Sequence, residues 1–555
     1  MAMEWMTNYK KKIAKNNLKF FSVQTRHLHT VLHFIHYTTG GPAAHHATCY
    51  ATCYAMKMLT KLAAGASIAT ISAILTILTI LNKLTHSVGT APPTKAQLEE
   101  ENHANSPLFR HLPHLKTKLA WRELGQFPTP IHQGRVDVVV DATPAGTLHF
   151  YVKREDLASP KYGGNKIRTL QHQIAVCEAK AVRGDVSASK IVVAGSGGSN
   201  QVLATVVHAQ NLAKEMPKIT PVWMQKDVPE LDNTLNMLST LTMNNVNEHE
   251  QKTWGDSGVL STLLGPLLLG SGLVLPPGGN SPAGVIGQIG GALELAEQIE
   301  AGLMPDPERI YVPVGSSCTI SGLILGIALA RQLGLKAFAR TQVCGVPIHH
   351  AAAAGQRSVG ILTAWWASVI PLTIRHTLNV ACDELARLGG PSLLEDCLAM
   401  VDDGEKQVRL IADADIIGTY GGHSEVSMIA SKEYDETGVI VDSMTGVKQK
   451  DLWLCGHFTS KSFAAMRRDY LKDIKEGREK PAVCLFWQTK SQVQPRGEDE
   501  TEWQQFLGMP PSVVKWGETG KSTSVHRNGV VDTLNVTTGE QGYRHLMTKL
   551  VSSKL

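Results

Sequence analysis

The segment Tyr151–Leu170, YVKREDLASPKYGGNKIRTL, decides how the chain is read. Leu148–Lys153 has the apolar, β-branched and aromatic content of a strand, and a turn-rich loop follows it. Two glycines then deliver Asn165 and Lys166 to a helix start. Ile167, Leu170, Ile174 and Cys177 recur at three-to-four spacing, so that helix has one apolar face. Lys166 therefore falls at the positive end of a helix dipole, which disfavours a cation. Burial would disfavour it further. Both effects lower the amine's proton affinity and leave it more nucleophilic, as a Schiff-base lysine requires.

Outward from that segment the same grammar repeats. Lys190–Ala194 is apolar and runs into GSGGSNQ (195–201), ahead of a helix from Val202. Leu273–Leu275 runs into PPGGNSPAG (276–284), and Ile310–Val314 into GSSCT (315–319). Val439–Val441 precedes DSMTG (442–446), and Ala482–Phe486 precedes WQTKS (487–491). Strands alternating with helices predict an α/β fold with mostly parallel, twisted sheets. Functional loops are then expected at the carboxyl ends of the strands. GSSCT, between a strand and a helix, suits an anion such as a phosphate. No Walker lysine follows it, so it is not a nucleotide P-loop.

The chain has 555 residues, enough for two or more domains, and a net charge of +5. No basic stripe is interleaved with aromatics, which argues against a nucleic-acid partner. The nine cysteines are scattered without paired CxxC units, so no metal site is expected and a reducing compartment is. Residues 1–61 are basic and rich in His and Thr, with Glu4 the sole carboxylate before Glu99, a composition like a mitochondrial targeting segment. Residues 62–82 include LAAGASIATISAILTILTIL, about 20 uncharged residues, long enough for a transmembrane helix. This predicts an N-terminal hydrophobic helix and a single-pass protein, mitochondrial or otherwise membrane-associated. Residues 83–107 read as a linker, 108–490 as the catalytic region with two subdomains, and 491–555 as a polar C-terminal extension.

Taken in order, KREDL…GGNKIR, GSGGSNQ, PGGNSPAGVIG, GSSCT, TYGGHSE and DSMTG resemble the fold-type II pyridoxal-phosphate (PLP) enzymes, the tryptophan-synthase β-like group. Within it the resemblance is to the D-cysteine desulfhydrase and 1-aminocyclopropane-1-carboxylate (ACC) deaminase family, over roughly residues 110–490. The resemblance implies a two-domain fold, a PLP cofactor, a small amino-acid substrate and a homodimer. It makes Lys166 the Schiff-base lysine, which also moves the Cα proton. Asn200 becomes the partner of the ring's 3-hydroxyl oxygen, and Ser199 lies beside the substrate carboxylate, with Gln201 continuing that helix start. Ser316, Ser317, Cys318 and Thr319 form the phosphate loop. Tyr420 reaches the substrate, and Thr445 faces the pyridine nitrogen.

ACC deaminases of this branch carry glutamate at the position matched by Thr445, and tyrosine where Met444 stands. Those two positions favour β-elimination from a D-amino acid such as D-cysteine over ring opening of ACC. The chain departs from the family at Gly198, where Gln is usual. It departs again in the shortened DSMTGVK, in Thr489-Lys490-Ser491 where TGG is usual, and in residues 345–380, which look like a divergent insertion. These departures motivate a third reading, a membrane-tethered PLP binder that has lost activity.

Overall fold

In the computed structural model the described residues are 88–210, 217–224, scattered positions between 233 and 243, 272–348, 369–449 apart from 405, 419 and 420, 451–496, and 532–535. The strand expected before Lys166 is half of a long antiparallel hairpin. β1 (Ile131–Val140) pairs with β2 (Thr143–Lys153), from Ile131 opposite Lys153 to Val140 opposite Thr143. Asp141 and Ala142, both at positive φ, make the two-residue turn, whose backbone twist matches that of the strands it joins. Val136 and Val138 are buried between exposed Arg135 and Asp137, the alternation of a strand with one wet face.

The hairpin is built into a seven-stranded sheet of order β8-β7-β6-β10-β2-β1-β9. The other members are β6 (Arg309–Val314), β7 (Gln342–Pro347), β8 (Val408–Leu410), β9 (Val439–Asp442) and β10 (Cys484–Trp487). Only β1 runs antiparallel to its neighbours; the other pairings are parallel. The central strands are apolar on both faces because both are covered. Ile310, Val312, Val314, Leu485 and Trp487 turn to one core, and Tyr311, Cys484 and Phe486 to the other. The first core is closed by α3 (Pro282–Glu300), α4 (Cys318–Gln332), α5 (Val369–Arg387) and α6 (Leu394–Asp402). The second is closed by α7 (Glu425–Thr437) and α8 (Thr459–Lys475).

A smaller parallel sheet, β4-β3-β5, comprises β3 (Ile191–Ser196), β4 (Ile219–Met224) and β5 (Leu273–Leu275). Its core is shared with α1 (Lys166–Val182) and α2 (Asn200–Ala209). The expected stripe on α1 is buried: Leu170, Ile174 and Cys177 pack in this core. The opposite face of α1 is buried too, although it is polar, because it packs against α3. A two-stranded parallel pair, β11 (Val493–Arg496) with β12 (Asp532–Asn535), lies in the C-terminal extension.

Charges between α1, α3 and β2 form a dry network. Arg168 bonds Glu155 at 2.7 Å and Glu294 at 2.8 Å. Lys153 reaches Glu294 at 2.5 Å, Gln298 at 2.6 Å and the Thr129 carbonyl at 2.7 Å. Burial works to raise the Glu294 carboxyl, but Arg168 and Lys153 outweigh it and hold it below the usual carboxylate range.

The expected single-pass, membrane-associated placement is corrected. Among the described residues no helix is long and apolar enough to cross a membrane. The two 19-residue helices are interrupted by charge: Glu294, Glu297 and Glu300 fall in the last seven residues of α3, and Arg375, Asp383, Glu384 and Arg387 in α5. A span needs about 20 predominantly apolar residues. The stretch 62–82, on which that expectation rested, and the targeting-like segment 1–61 lie outside the described residues.

Removing one member of a buried ionic network strands the others in a medium that solvates them poorly. Glu294→Gln is therefore expected to lower unfolding free energy by about 3–5 kcal/mol in denaturant titrations. Glu476→Gln, in the exposed Lys472–Glu476 pair, should stay within about 0.5 kcal/mol. Similar losses for both would refute the role given to the network.

Candidate active site

Four loops meet around one cavity, each at the carboxyl end of a parallel strand. Residues 196–201 follow β3, 276–281 follow β5, 315–319 follow β6, and 488–491 follow β10. Parallel strands place their outgoing loops on one edge, which is why α/β enzymes bind ligands there. The loops enclose a cavity of ≈ 130 Å³.

Lys166 enters from a fifth loop. Gly164 has φ +98, which favours glycine, and a Cβ on Gly163 would overlap the Asp156 carbonyl. The loop is pinned to the end of β10: Gly163 N donates to Ser491 Oγ at 3.0 Å, and Asn165 N to the Thr489 carbonyl at 3.4 Å. Asn165 and Lys166 stand at the N-cap and first position of α1, as expected. Burial lowers the proton affinity of the Lys166 amine, against a smaller opposing effect of Cys318. Its Nζ donates to the Gly278 carbonyl at 3.0 Å.

The GSSCT turn faces it. Ser316 Oγ also donates to the Gly278 carbonyl, at 3.4 Å, so the lysine amine and the first serine share one acceptor. Gly278, at φ +65, has no room for a Cβ, which would overlap Ser316 Oγ. Ser317 is the N-cap of α4 at φ 69, an αL conformation for a non-glycine residue. Its hydroxyl bonds Thr373 at 2.8 Å instead of capping the helix. Ser316 Oγ takes the Cys318 amide at 3.5 Å, and the N-terminus of this 15-residue helix faces the cavity wall. Cys318 is buried, with burial pushing its thiol up and Lys166 opposing. Thr319 accepts from Asn165 Nδ2 at 2.7 Å, tying the two helix starts together.

Ser199 caps α2, its hydroxyl accepting from Gln201 N at 3.2 Å. Asn200 and Gln201 line the same wall. Gly198, the departure from the usual Gln, sits at φ +65, and a Cβ there would overlap the Asn233 carbonyl oxygen. The structure therefore brings together Lys166, Ser199, Asn200, Ser316, Ser317, Cys318 and Thr319 around one cavity.

Thr445 is not brought there. It is exposed in the turn after β9, where its N and Oγ1 each donate to Asp442 Oδ1 at 2.8 Å. These bonds, the backbone one first, hold the Asp442 carboxyl below its usual range. The segment that does reach the cavity lies further on: Phe458, immediately before α8, is in the lining, as is Thr489. GHFTSKS (456–462) opens a helix as the other site motifs do, but it lacks the paired glycines that drew attention to them. Tyr420 lies outside the described residues.

Among the described lining residues Lys166 is the one cation, and none is a carboxylate. An amine of lowered proton affinity across from a helix N-terminus and small hydroxyls fits an aldehyde that carries a phosphate. The donor set is thus that of a PLP site.

Residues 123–419, more than half of the chain, match the family model described as pyridoxal-phosphate dependent enzyme. The chain belongs to this family of PLP-dependent enzymes. It is 30% identical over 213 residues to the bifunctional D-cysteine desulfhydrase/1-aminocyclopropane-1-carboxylate deaminase of Arabidopsis thaliana, a match covering 37% of this chain and 50% of the relative. It is 28% identical over 187 residues to nocardicin C-9′ epimerase of Nocardia uniformis, covering 32% and 53%. It is 29% identical over 220 residues to D-cysteine desulfhydrase of Serratia proteamaculans, covering 37% and 62%. The chain thus spans about half the length of the first of these curated relatives. A solved ACC deaminase homologue aligns at 18% identity with a TM-score of 0.42, covering 73% of this chain and 99% of that one.

The depressed amine has a measurable sign. Folding carries Lys166 from the ordinary value of 10.5 to a lower one. Between the two values the unfolded chain holds the extra proton, so stability rises with pH. The cost is full below the folded value and vanishes as pH approaches 10.5. Apoprotein carrying Lys166→Met should therefore melt higher than the parent at pH 7, with the gain shrinking by pH 10. A gain that is absent, or that grows with pH, contradicts the assignment.

Proposed function

We propose that the protein is a PLP-dependent lyase acting by α,β-elimination on D-cysteine or a related amino acid, within a catalytic region spanning about residues 108–490. The observation that carries the cofactor assignment is the Gly278 carbonyl shared by Lys166 Nζ at 3.0 Å and Ser316 Oγ at 3.4 Å. One small phosphate-bearing aldehyde can span that separation. When bound, PLP supplies the aldehyde that takes up amines and the electron sink for bond changes at the substrate Cα.

The protein's part follows from its own groups. Lys166, kept low in proton affinity by burial, takes the Cα proton and gives it up to the departing sulfide. The amides at the start of α4 receive the cofactor phosphate, with Ser316, Ser317 and Thr319 beside them. The Ser199 hydroxyl and the N-terminus of α2 receive the substrate carboxylate. Asn200 donates to the ring oxygen. Loss of the Cα proton to Lys166 accompanies departure of HS⁻ from Cβ. Uptake of one water then balances cysteine against pyruvate, ammonia and hydrogen sulfide.

The choice of elimination over ACC ring opening no longer leans on Thr445. It rests on the described lining, which offers no carboxylate to protonate a pyridine nitrogen. A neutral ring is a weaker sink, adequate where a good leaving group departs. A homodimer is part of the same proposal.

Full-length protein incubated with PLP should retain a visible absorbance band after dialysis and release pyruvate and sulfide from D-cysteine. Lys166→Ala should lose the band and reduce turnover by roughly 10³-fold or more. Faster 2-oxobutyrate release from ACC would replace the lyase reading with the deaminase one. A band without turnover on any D- or L-amino acid would mark a degenerate binder. A parent protein that retains no PLP overturns the proposal.

A further inference from the structure

Lys490, where the family usually has glycine, is fully buried and stands behind the cavity wall. Its Nζ is 3.4 Å from Asn200 Oδ1 and 3.5 Å from Asn236 Oδ1. The ammonium lies 4.4 Å from the Trp453 ring centre and 5.8 Å from that of Tyr162, and aromatic faces favour a cation. Asn200 Oδ1 also accepts from Tyr162 OH and from Asn236 Nδ2, both at 2.7 Å.

An asparagine amide can sit either way round, and a tyrosine hydroxyl or a second amide can serve either arrangement. Direction comes from groups that act one way only. There are two here. The Gly198 carbonyl, an acceptor, takes Asn236 Nδ2 at 3.0 Å. Lys490, a donor, faces both amide oxygens. Together they hold the Asn200 oxygen inward, so its Nδ2 is the atom offered to the cavity. The reverse arrangement would present an oxygen and repel an anionic ligand.

We propose that Lys490 is a positioning residue that fixes the Asn200 amide with its donor toward the cavity, so that the site selects the charged form of the cofactor's ring oxygen. The proposal rests on the PLP reading above. It assigns Lys490 no contact with cofactor or substrate; it acts through Asn200.

The test uses full-length protein. PLP titrated into Lys490→Met should bind about tenfold or more weakly than into the parent, the loss expected for a charge-assisted hydrogen bond. The bound band should also shift toward the shorter-wavelength form with a protonated ring oxygen, a change that looser packing alone does not produce. Asn200→Asp gives an independent arm without cofactor. In the parent, the new carboxylate meets Lys490 and should raise the apoprotein melting temperature. In the Lys490→Met background the same change should lower it. Unchanged affinity and spectrum in Lys490→Met, or an Asn200→Asp effect of the same sign in both backgrounds, overturns the proposal. If the parent binds no PLP, the functional reading fails, and the apoprotein arm still decides whether Lys490 sets Asn200.

Discussion

Glu294 is the point from which the geometry of the site is held. Its carboxylate is shared between Arg168, two residues past Lys166, and Lys153, the last residue of β2. With Glu155 as the second acceptor of Arg168, it links the helix carrying Lys166 to the central sheet and to α3. Hydrophobic contact would permit α1 to slide or rotate along its axis. A charged network buried from water does not, because a displacement of an ångström leaves a charge without its partner.

The site is built from elements that belong to different cores. Lys166, Ser199 and Asn200 come from helices packed on the small sheet, and Ser316–Thr319 from a helix packed on the large one. What joins them is polar: Asn165 to Thr319, Gln288 to the Asn165 carbonyl, and the Gly278 carbonyl to Lys166 and Ser316. The cavity wall is therefore directional in its hydrogen bonding. The fit of a ligand depends on which way each amide and hydroxyl is turned as much as on the space available.

Most of the cavity wall was legible in the sequence because it is written locally. A β-branched strand, a glycine or serine turn and a helix start within a dozen residues specify where a backbone amide or a lysine will point. Lys166, Ser199, Asn200 and 316–319 are all of this kind. Thr445 was misplaced because DSMTG has the same local appearance, while the chain continues past it before α8 begins at Thr459. Phe458 carries no such local signal. The buried charges were illegible for a further reason. Lys153, Arg168 and Lys490 carry no local sign of burial, and partners on other elements make it tolerable. The start of β1 has no such signal: His132, Gln133 and Gly134 have no strand pattern of their own and are held by pairing with β2 and β9.

The loop that presents Lys166 is closed by groups more than three hundred residues downstream: Ser491 takes the Gly163 amide, and Thr489 that of Asn165. Contacts of such long range form late, because the intervening chain must first be ordered. During synthesis Lys166 leaves the ribosome long before the residues that seat its loop. The vitamin-derived group thus has no finished berth on a nascent chain, and loading becomes a step that follows translation.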